Sequence, residues 1–123
     1  MIEHDLDEFA RRYIAVWNEP DPVNRSKQIA GLFADDADHY TPTVHAHGHA
    51  ALAERITNAY TRWVEPGEHR FEAAPGANGH HDAVRFNWHM VRVADQQVIS
   101  VGFDFITLDD DGRILTDYQF VDR

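Results

Sequence analysis

The stretch SVGFDFITLDDDGRIL, Ser100–Leu115, decides the fold. Its β-branched and aromatic residues predict a strand, yet Asp104 lies between Phe103 and Phe105. Because burying an isolated carboxylate is costly, such a residue is normally exposed, paired, protonated or functional. The strand pairing decides which face of the sheet carries Asp104.

The turn that follows this strand sets its register with the last strand. Asp111-Gly112 is a strong two-residue hairpin signal and pairs Asp110 with Arg113. The same register places Asp104 opposite Gln119.

The preceding hairpin sets the register on the other side. A three-residue loop, Ala94–Gln96, would place Trp88 opposite Gly102 and Phe86 opposite Asp104. This pairing explains Gly102, because a residue without a side chain leaves room for the indole ring.

Alternation of side chains along the strands then sorts the residues into two faces. The inner face carries Phe86, Trp88, Met90, Ser100, Gly102, Asp104, Ile106, Asp117, Gln119 and Val121. The outer face carries Arg85, Asn87, His89, Val101, Phe103, Phe105, Tyr118 and Phe120. Helices can cover only one face of a sheet, so we expect a homodimer through the outer-face aromatics Phe103, Phe105, Tyr118 and Phe120.

Helical periodicity dominates the first half of the chain. Leu6, Phe9 and Tyr13 follow helical spacing, with Asp5 as the expected N-cap. A second helix is predicted over Pro22–Phe33 and a third after Gly48. Between them lie a turn, a short extended piece and a loop. From Glu68 onward the pattern alternates as in strands, which indicates an α+β fold with helices on one face of a mainly antiparallel sheet.

Composition restricts the class of protein. The chain has 123 residues, a formal charge of −10 and no cysteine, which favours a single domain over residues 1–123 without disulfides. The acidic balance argues against nucleic acid as a partner, and the absence of an apolar signal core or long apolar run argues against a membrane. We therefore expect a cytoplasmic protein.

Four strings, RYIAVW, LFADDADHYTP, HGHAAL and FDFITLDDDGRILTDYQFVD, resemble the nuclear transport factor 2-like superfamily, in particular its SnoaL-like polyketide cyclase and ketosteroid isomerase-like branch. The resemblance spans nearly the whole chain. It implies a cone-shaped fold in which three N-terminal helices pack on a curved sheet and enclose an apolar pocket, commonly in a dimer. The superfamily contains several reactions and many proteins without one, so the fold does not decide the activity.

The resemblance also implies roles for single residues. Tyr13 and Asp104 are similar in position to the tyrosine and the protonated aspartic acid of the ketosteroid isomerase oxyanion hole, which is a standard example of a carboxyl group kept neutral by an apolar site. Thr41 stands where that family has its general base. Asp117 resembles the final-strand aspartate in the Asp-Arg-Asp site of limonene-type epoxide hydrolases. The predicted register puts Phe86 and Trp88 where the arginine and the other aspartate would stand, and a register shifted by one would put Arg85 and Asn87 there. Neither register completes the triad. In SnoaL-like cyclases an acidic pocket residue acts as acid or base, and Asp104 or Asp117 could take that role.

These observations predict a small-molecule pocket with acidic anchors. Because Asp104 and Asp117 should lie about 7 Å apart, one of them should retain its proton near neutral pH. The protein would bind an oxygen-bearing apolar metabolite and, if catalytic, act as an isomerase, cyclase or dehydratase without a cofactor. The predicted catalytic residues are Asp104, Tyr13 and Asp117, and the predicted ligand-binding residues are Trp17, Phe33, His39, Tyr40, Thr41, Phe86, Trp88, Met90 and Gln119. The alternative is a non-catalytic ligand-binding or dimerisation module, in which Asp104 is a structural carboxylate.

Nine histidines raise the question of a metal site. His45, His47 and His49 alternate, as in half of a metal site, but no carboxylate or supporting partner is evident nearby in the sequence. We interpret them as surface residues and predict no metal. His39 is the histidine expected nearest to the pocket, and the one to test for proton transfer.

Overall fold

The computed structural model describes residues 3–123. In this part of the chain the helices are α1 (Glu3–Asn18), α2 (Pro22–Leu32) and α3 (Gly48–Ala59), the last continuing into a π-helical turn (Tyr60–Val64). The strands are β1 (Phe33–Tyr40), β2 (His45–His47), β3 (His69–Ala73), β4 (Asn78–His80), β5 (Ala83–Arg92), β6 (Val98–Leu108) and β7 (Ile114–Val121). No helix within residues 3–123 is both long and apolar enough to span a membrane.

The strands form one curved, mixed sheet in the order β2-β1-β7-β6-β5-β3, with β4 on the end of β5. Every pairing is antiparallel except that of β1 with β7. The helices pack on the concave side, where the core includes residues of α1 such as Phe9 and inner-face residues such as Phe86 and Ile106. The predicted α+β architecture is therefore confirmed.

Two helix boundaries differ from the sequence prediction. Helix α1 already includes Glu3, so Asp5 lies in its first turn rather than at the N-cap; an acid there still interacts favourably with the helix dipole. Helix α2 begins at Pro22, capped by the Asp21 carboxylate, which accepts a hydrogen bond from the Val23 amide at 3.0 Å. It ends one residue earlier than predicted, because Phe33 is already extended and opens β1.

The predicted strand register is correct around the acid. Asp104 pairs with Phe86 on β5 and with Gln119 on β7, and Gly102 pairs with Trp88. A side chain at Gly102 would collide with that indole ring and with the backbone of the last strand. The glycine therefore makes the space in which the indole lies.

The predicted turns that led to this register are wrong in detail. The last hairpin has a three-residue loop, 110–112, closed by the Asp109 amide donating to the Arg113 carbonyl at 2.8 Å, with Gly112 at a φ of +82°. A bulge between Thr107 and Leu108 shifts the pairing back by one residue. The preceding loop covers 93–96 rather than Ala94–Gln96, and a bulge after Met90 corrects it in the same way.

The short extended piece predicted after α2 is a full strand. β1 pairs in parallel with β7, so that His39 lies beside Asp117 and Tyr40 beside Tyr118. The acidic string of this segment has low β-propensity, which is why the sequence did not indicate a strand of this length. Its Ala37 and His39 face inward and are fully buried, and the parallel pairing brings a histidine into the core.

Candidate active site and ligand cavity

Two carboxylates meet one phenol in the core. Asp104 comes from β6 and Asp117 from β7, and both are fully buried. Tyr13, on the buried side of α1, places its hydroxyl oxygen 2.9 Å from Asp104 Oδ2 and 2.6 Å from Asp117 Oδ2. A phenol has one hydrogen to donate, so one of these two contacts requires the proton of a carboxyl group.

His39 completes the group, and we call Tyr13, His39, Asp104 and Asp117 the buried cluster. His39 Nδ1 lies 2.8 Å from Asp117 Oδ2, and both side chains are fully buried. Burial lowers the pKa of His39 to about 4, so the imidazole is neutral at pH 7. Nδ1 then carries the hydrogen and donates it to the Asp117 carboxylate.

Burial also controls the two acids. Loss of solvent raises the pKa of Asp104 well above its ordinary value, and the neighbouring charge of Asp117 raises it further. Burial raises the pKa of Asp117 too, but hydrogen bonds from Asp104 and Tyr13 oppose that effect. Asp104 is therefore the neutral member of the pair, which holds a proton donor and a proton acceptor side by side.

The buried cluster retains unused polar atoms. Asp104 Oδ1, Asp117 Oδ1 and His39 Nε2 have no hydrogen-bond partner within the described residues. One ligand atom from each of these residues lies within 4.8 Å of the others, so they could hold a divalent cation as well as a shared proton. That the protein works without a metal stays a prediction.

A cavity of about 200 Å³ adjoins the buried cluster between α1, α3 and the sheet. Of the predicted catalytic residues Tyr13 lines it, and of the predicted ligand-binding residues Trp17, Trp88, Met90 and Gln119 do. Tyr13 therefore connects the cavity to the two acids, which lie behind it.

Other predicted ligand-binding residues lie behind the cavity wall. The fully buried Phe33 and Phe86 pack on the Tyr13 ring at centroid distances of 6.1 and 5.0 Å, and His39 belongs to the buried cluster. These residues position Tyr13 and do not line the cavity.

Two predicted ligand-binding residues lie elsewhere. Tyr40 points to the outer face, because His39 before it points inward, and it stacks on Tyr118 and His45 at 4.8 and 4.5 Å. The Thr41 hydroxyl accepts hydrogen bonds from the Thr43 and Val44 amides in a turn. Neither residue lines the cavity.

Sequence reasoning missed Arg55 on α3. Its Nη2 donates to Gln119 Oε1 at 3.1 Å, and its guanidinium lies 5.2 Å from the centre of the Trp17 ring. Burial lowers its pKa. The spacing contained a signal, because Arg55 follows Leu52 by three residues and precedes Ala59 by four, which places a charge at the edge of a buried stripe.

The surface histidines have a carboxylate partner that the sequence did not reveal. His45 Nε2 and His47 Nδ1 each lie 2.8 Å from Asp38 Oδ1, because β2 pairs antiparallel with β1. These hydrogen bonds lower the pKa of Asp38. The arrangement is a largely exposed cluster on the edge strand.

The chain is similar to several solved structures. A candidate isomerase of the SnoaL-like family from Agrobacterium tumefaciens is 26% identical, with a TM-score of 0.88 over 98% of this chain and 99% of that one. A SnoaL-like protein of unknown function from Burkholderia thailandensis is 14% identical, with a TM-score of 0.74 over 100% and 99%. A candidate polyketide cyclase from Sinorhizobium meliloti is 16% identical, with a TM-score of 0.68 over 97% and 99%.

No curated protein matches the chain. The family model of the SnoaL-like domain matches residues 10–116, a range that contains Tyr13, His39 and Asp104 and ends just before Asp117. On this match the chain belongs to the SnoaL-like domain family.

Proposed function

We propose that the protein binds a small, largely apolar, oxygen-bearing metabolite in the cavity and catalyses a proton transfer on it, as an isomerase, cyclase or dehydratase without a cofactor. The observation that carries the proposal is the position of Tyr13, which lines the cavity while its hydroxyl contacts two buried carboxylates. The description of the Agrobacterium relative as a candidate isomerase is in line with it.

The chemistry follows from the unequal protonation of the two acids. Tyr13 is the member of the buried cluster that lines the cavity, and its pKa is raised by burial and by both acids. Its hydroxyl donates a hydrogen to a ligand carbonyl oxygen, and the proton held by Asp104 replaces it. Asp117 is the final acceptor for the proton released from the neighbouring carbon, which reaches it through the same hydroxyl because Asp117 is fully buried behind Tyr13. Because burial raises its pKa, it is a stronger base than an exposed aspartate. One proton leaves carbon and one reaches oxygen, so no other reactant is needed.

A specific observation favours a second candidate, a binding module without turnover. The Tyr13 hydroxyl contacts both carboxylates, and Asp117 Oδ2 already contacts His39 as well. Thr41, which resembles in position the general base of ketosteroid isomerases, accepts a hydrogen bond from the Val44 amide in a turn and does not line the cavity. In this alternative the buried cluster is a structural part of the core whose hydrogen bonds are internal, and the cavity only holds its ligand.

Exchange of carbon-bound hydrogen distinguishes the two candidates. 2-Tetralone and 3-cyclohexen-1-one are incubated with the protein in D₂O, and loss of the α-proton signals is followed by ¹H NMR. Catalysis predicts exchange above the buffer rate, slowed about 10²- to 10⁴-fold in Asp117→Asn and unchanged in the exposed turn variant Asp110→Asn. Exchange at the buffer rate for both ketones supports the binding module.

We also propose that the outer face joins two copies of the chain. Phe105, Tyr118 and Phe120 are 41%, 42% and 45% exposed, and Phe120 stacks on Phe103 at 4.6 Å. A second copy would present the same aromatic surface to this one, as a two-fold interface requires. Burial of these rings would remove a contiguous apolar patch from water.

Sedimentation equilibrium at micromolar concentration tests the dimer. The wild type should sediment as a dimer, and the double variant Phe105→Ser, Phe120→Ser as a monomer. Val23→Ser removes an apolar residue that is 61% exposed on α2, away from the sheet, and should leave the dimer intact. A monomeric wild type would contradict the proposal.

A further inference from the structure

The cavity walls contain hydrogen-bond donors without acceptors. Trp17 Nε1, Trp88 Nε1 and Arg55 Nε are buried and have no hydrogen-bond partner among the residues that the structure describes. All three residues line the cavity. A buried N–H group without an acceptor is costly, so an acceptor oxygen of a ligand would be stabilised where one of these side chains turns its N–H toward the cavity.

Arg55 adds a charge requirement. Its hydrogen bond goes to the neutral amide of Gln119 at 3.1 Å, and no carboxylate of the described chain lies within ion-pair distance of it. The acids that act on it from a distance, Asp104 and Asp117, lie behind Tyr13. A partly desolvated guanidinium without a direct counter-ion leaves the cavity suited to an anion.

The other walls restrict the rest of the ligand. Trp63, Phe71 and Met90 line the cavity together with Trp17 and Trp88, so most of the surface is aromatic or apolar. A volume of about 200 Å³ is below the roughly 300–1,000 Å³ of usual ligand pockets. One or two rings fill such a space.

We propose that the cavity selects a one- or two-ring aromatic or alicyclic carboxylate, whose anionic oxygens contact Arg55 while its rings pack against Trp17 and Trp88. A carboxylate offers two acceptor oxygens to the paired N–H groups of a guanidinium, whereas a carboxamide offers only one. This inference names the substrate class for the cavity and rests on the proposed function only in requiring that the cavity binds a ligand.

Isothermal titration calorimetry at pH 7 with matched ligand pairs tests it. The probes are 2-naphthoate against 2-naphthamide and cinnamate against cinnamamide, which differ in charge and little in shape. The carboxylates should bind at least about tenfold more tightly than the amides, as expected for a charge-assisted hydrogen bond.

The variants assign that preference to one residue. Arg55→Gln should reduce carboxylate affinity to that of the amide while amide affinity stays within about threefold. Arg55→Lys, which keeps the charge, should retain part of the preference, and it replaces Arg55→Gln if the latter does not fold. Arg11→Gln makes the same charge change at an exposed position of α1 and should leave both affinities unchanged.

Four outcomes would overturn the inference, and the first three separate it from the proposed function. Equal affinities within each ligand pair would show that the cavity binds ligands without selecting an anion, and a carboxylate preference that survives in Arg55→Gln would show that Arg55 does not provide the selection. Binding of the amides alone would also show that the cavity does not select an anion. Failure of all four compounds to bind at millimolar concentration would count against both the inference and a ligand-binding cavity.

Discussion

Replacing Asp104 by asparagine tests the protonation of the buried cluster. Burial and the charge of Asp117 raise the pKa of Asp104 well above its ordinary value of 3.8. Between these two values the folded protein holds a proton that the unfolded chain has lost. Wild-type stability therefore falls as pH rises through this window, by about 1.4 kcal/mol per pH unit.

Asparagine has a similar shape and no carboxyl proton, so Asp104→Asn lacks this contribution. The free energy of unfolding of the variant minus that of the wild type should therefore increase by about 1.4 kcal/mol for each pH unit above about 4. The increase ends when the folded wild type releases its proton. A constant offset from altered hydrogen bonds does not affect this slope.

Urea unfolding followed by tryptophan fluorescence at pH 5, 6 and 7 provides the measurement. Asp110→Asn, at an exposed position in the last turn, serves as the matched control for removal of one carboxyl group. If the Asp104→Asn and wild-type stabilities run parallel across this range, Asp104 is ionised in the fold, and our account of the buried cluster is wrong.

Three further predictions concern two other members of the buried cluster and Gly102. For His39→Gln, the free energy of unfolding of the wild type minus that of the variant should grow by about 3 kcal/mol from pH 4 to 6.5. The reason is that the folded imidazole stays neutral down to its pKa of about 4, whereas the unfolded one protonates near 6.5. A difference that stays constant with pH in urea melts would show that His39 titrates normally. Tyr13→Phe leaves two buried carboxyl groups without their phenol and should cost about 1–3 kcal/mol; a loss below about 0.5 kcal/mol in urea titrations would refute that. Gly102→Ala forces a methyl group into Trp88 and the Phe120 backbone and should cost about 1–3 kcal/mol, whereas a calorimetric Tm equal to that of wild type would contradict this packing.

The sheet register could be predicted because it is fixed twice over. The inner face must be apolar, and Gly102 must lie opposite Trp88, so the pairing around Asp104 follows from the side chains even though both turns differ from the prediction. The bulges beside the turns restore the alignment that burial of the inner face requires. The loop lengths expected from the turn signals are each one residue too short, so those signals lead to the right register only because a bulge compensates for each of them.

The remaining parts of the site depend on long-range contacts that a local pattern does not contain. β1 is held by parallel pairing with β7, which its acidic sequence does not indicate, and that pairing places His39 against Asp117. Arg55 lies at the edge of a helical stripe, where a charge usually reaches solvent. In the fold it is directed along the cavity toward Gln119 and Trp17.

The most direct test of the central claim is ¹³C NMR titration of the carboxyl groups in protein labelled at aspartate, with Asp104→Asn and Asp117→Asn used for assignment. Our account predicts that the Asp104 signal keeps the chemical shift of a protonated carboxyl group at pH 6 and moves only at higher pH, with a smaller linked change at Asp117. If both carboxyl groups instead titrate near pH 4, like exposed aspartates, the pair does not share a proton and cannot serve the cavity as donor and acceptor.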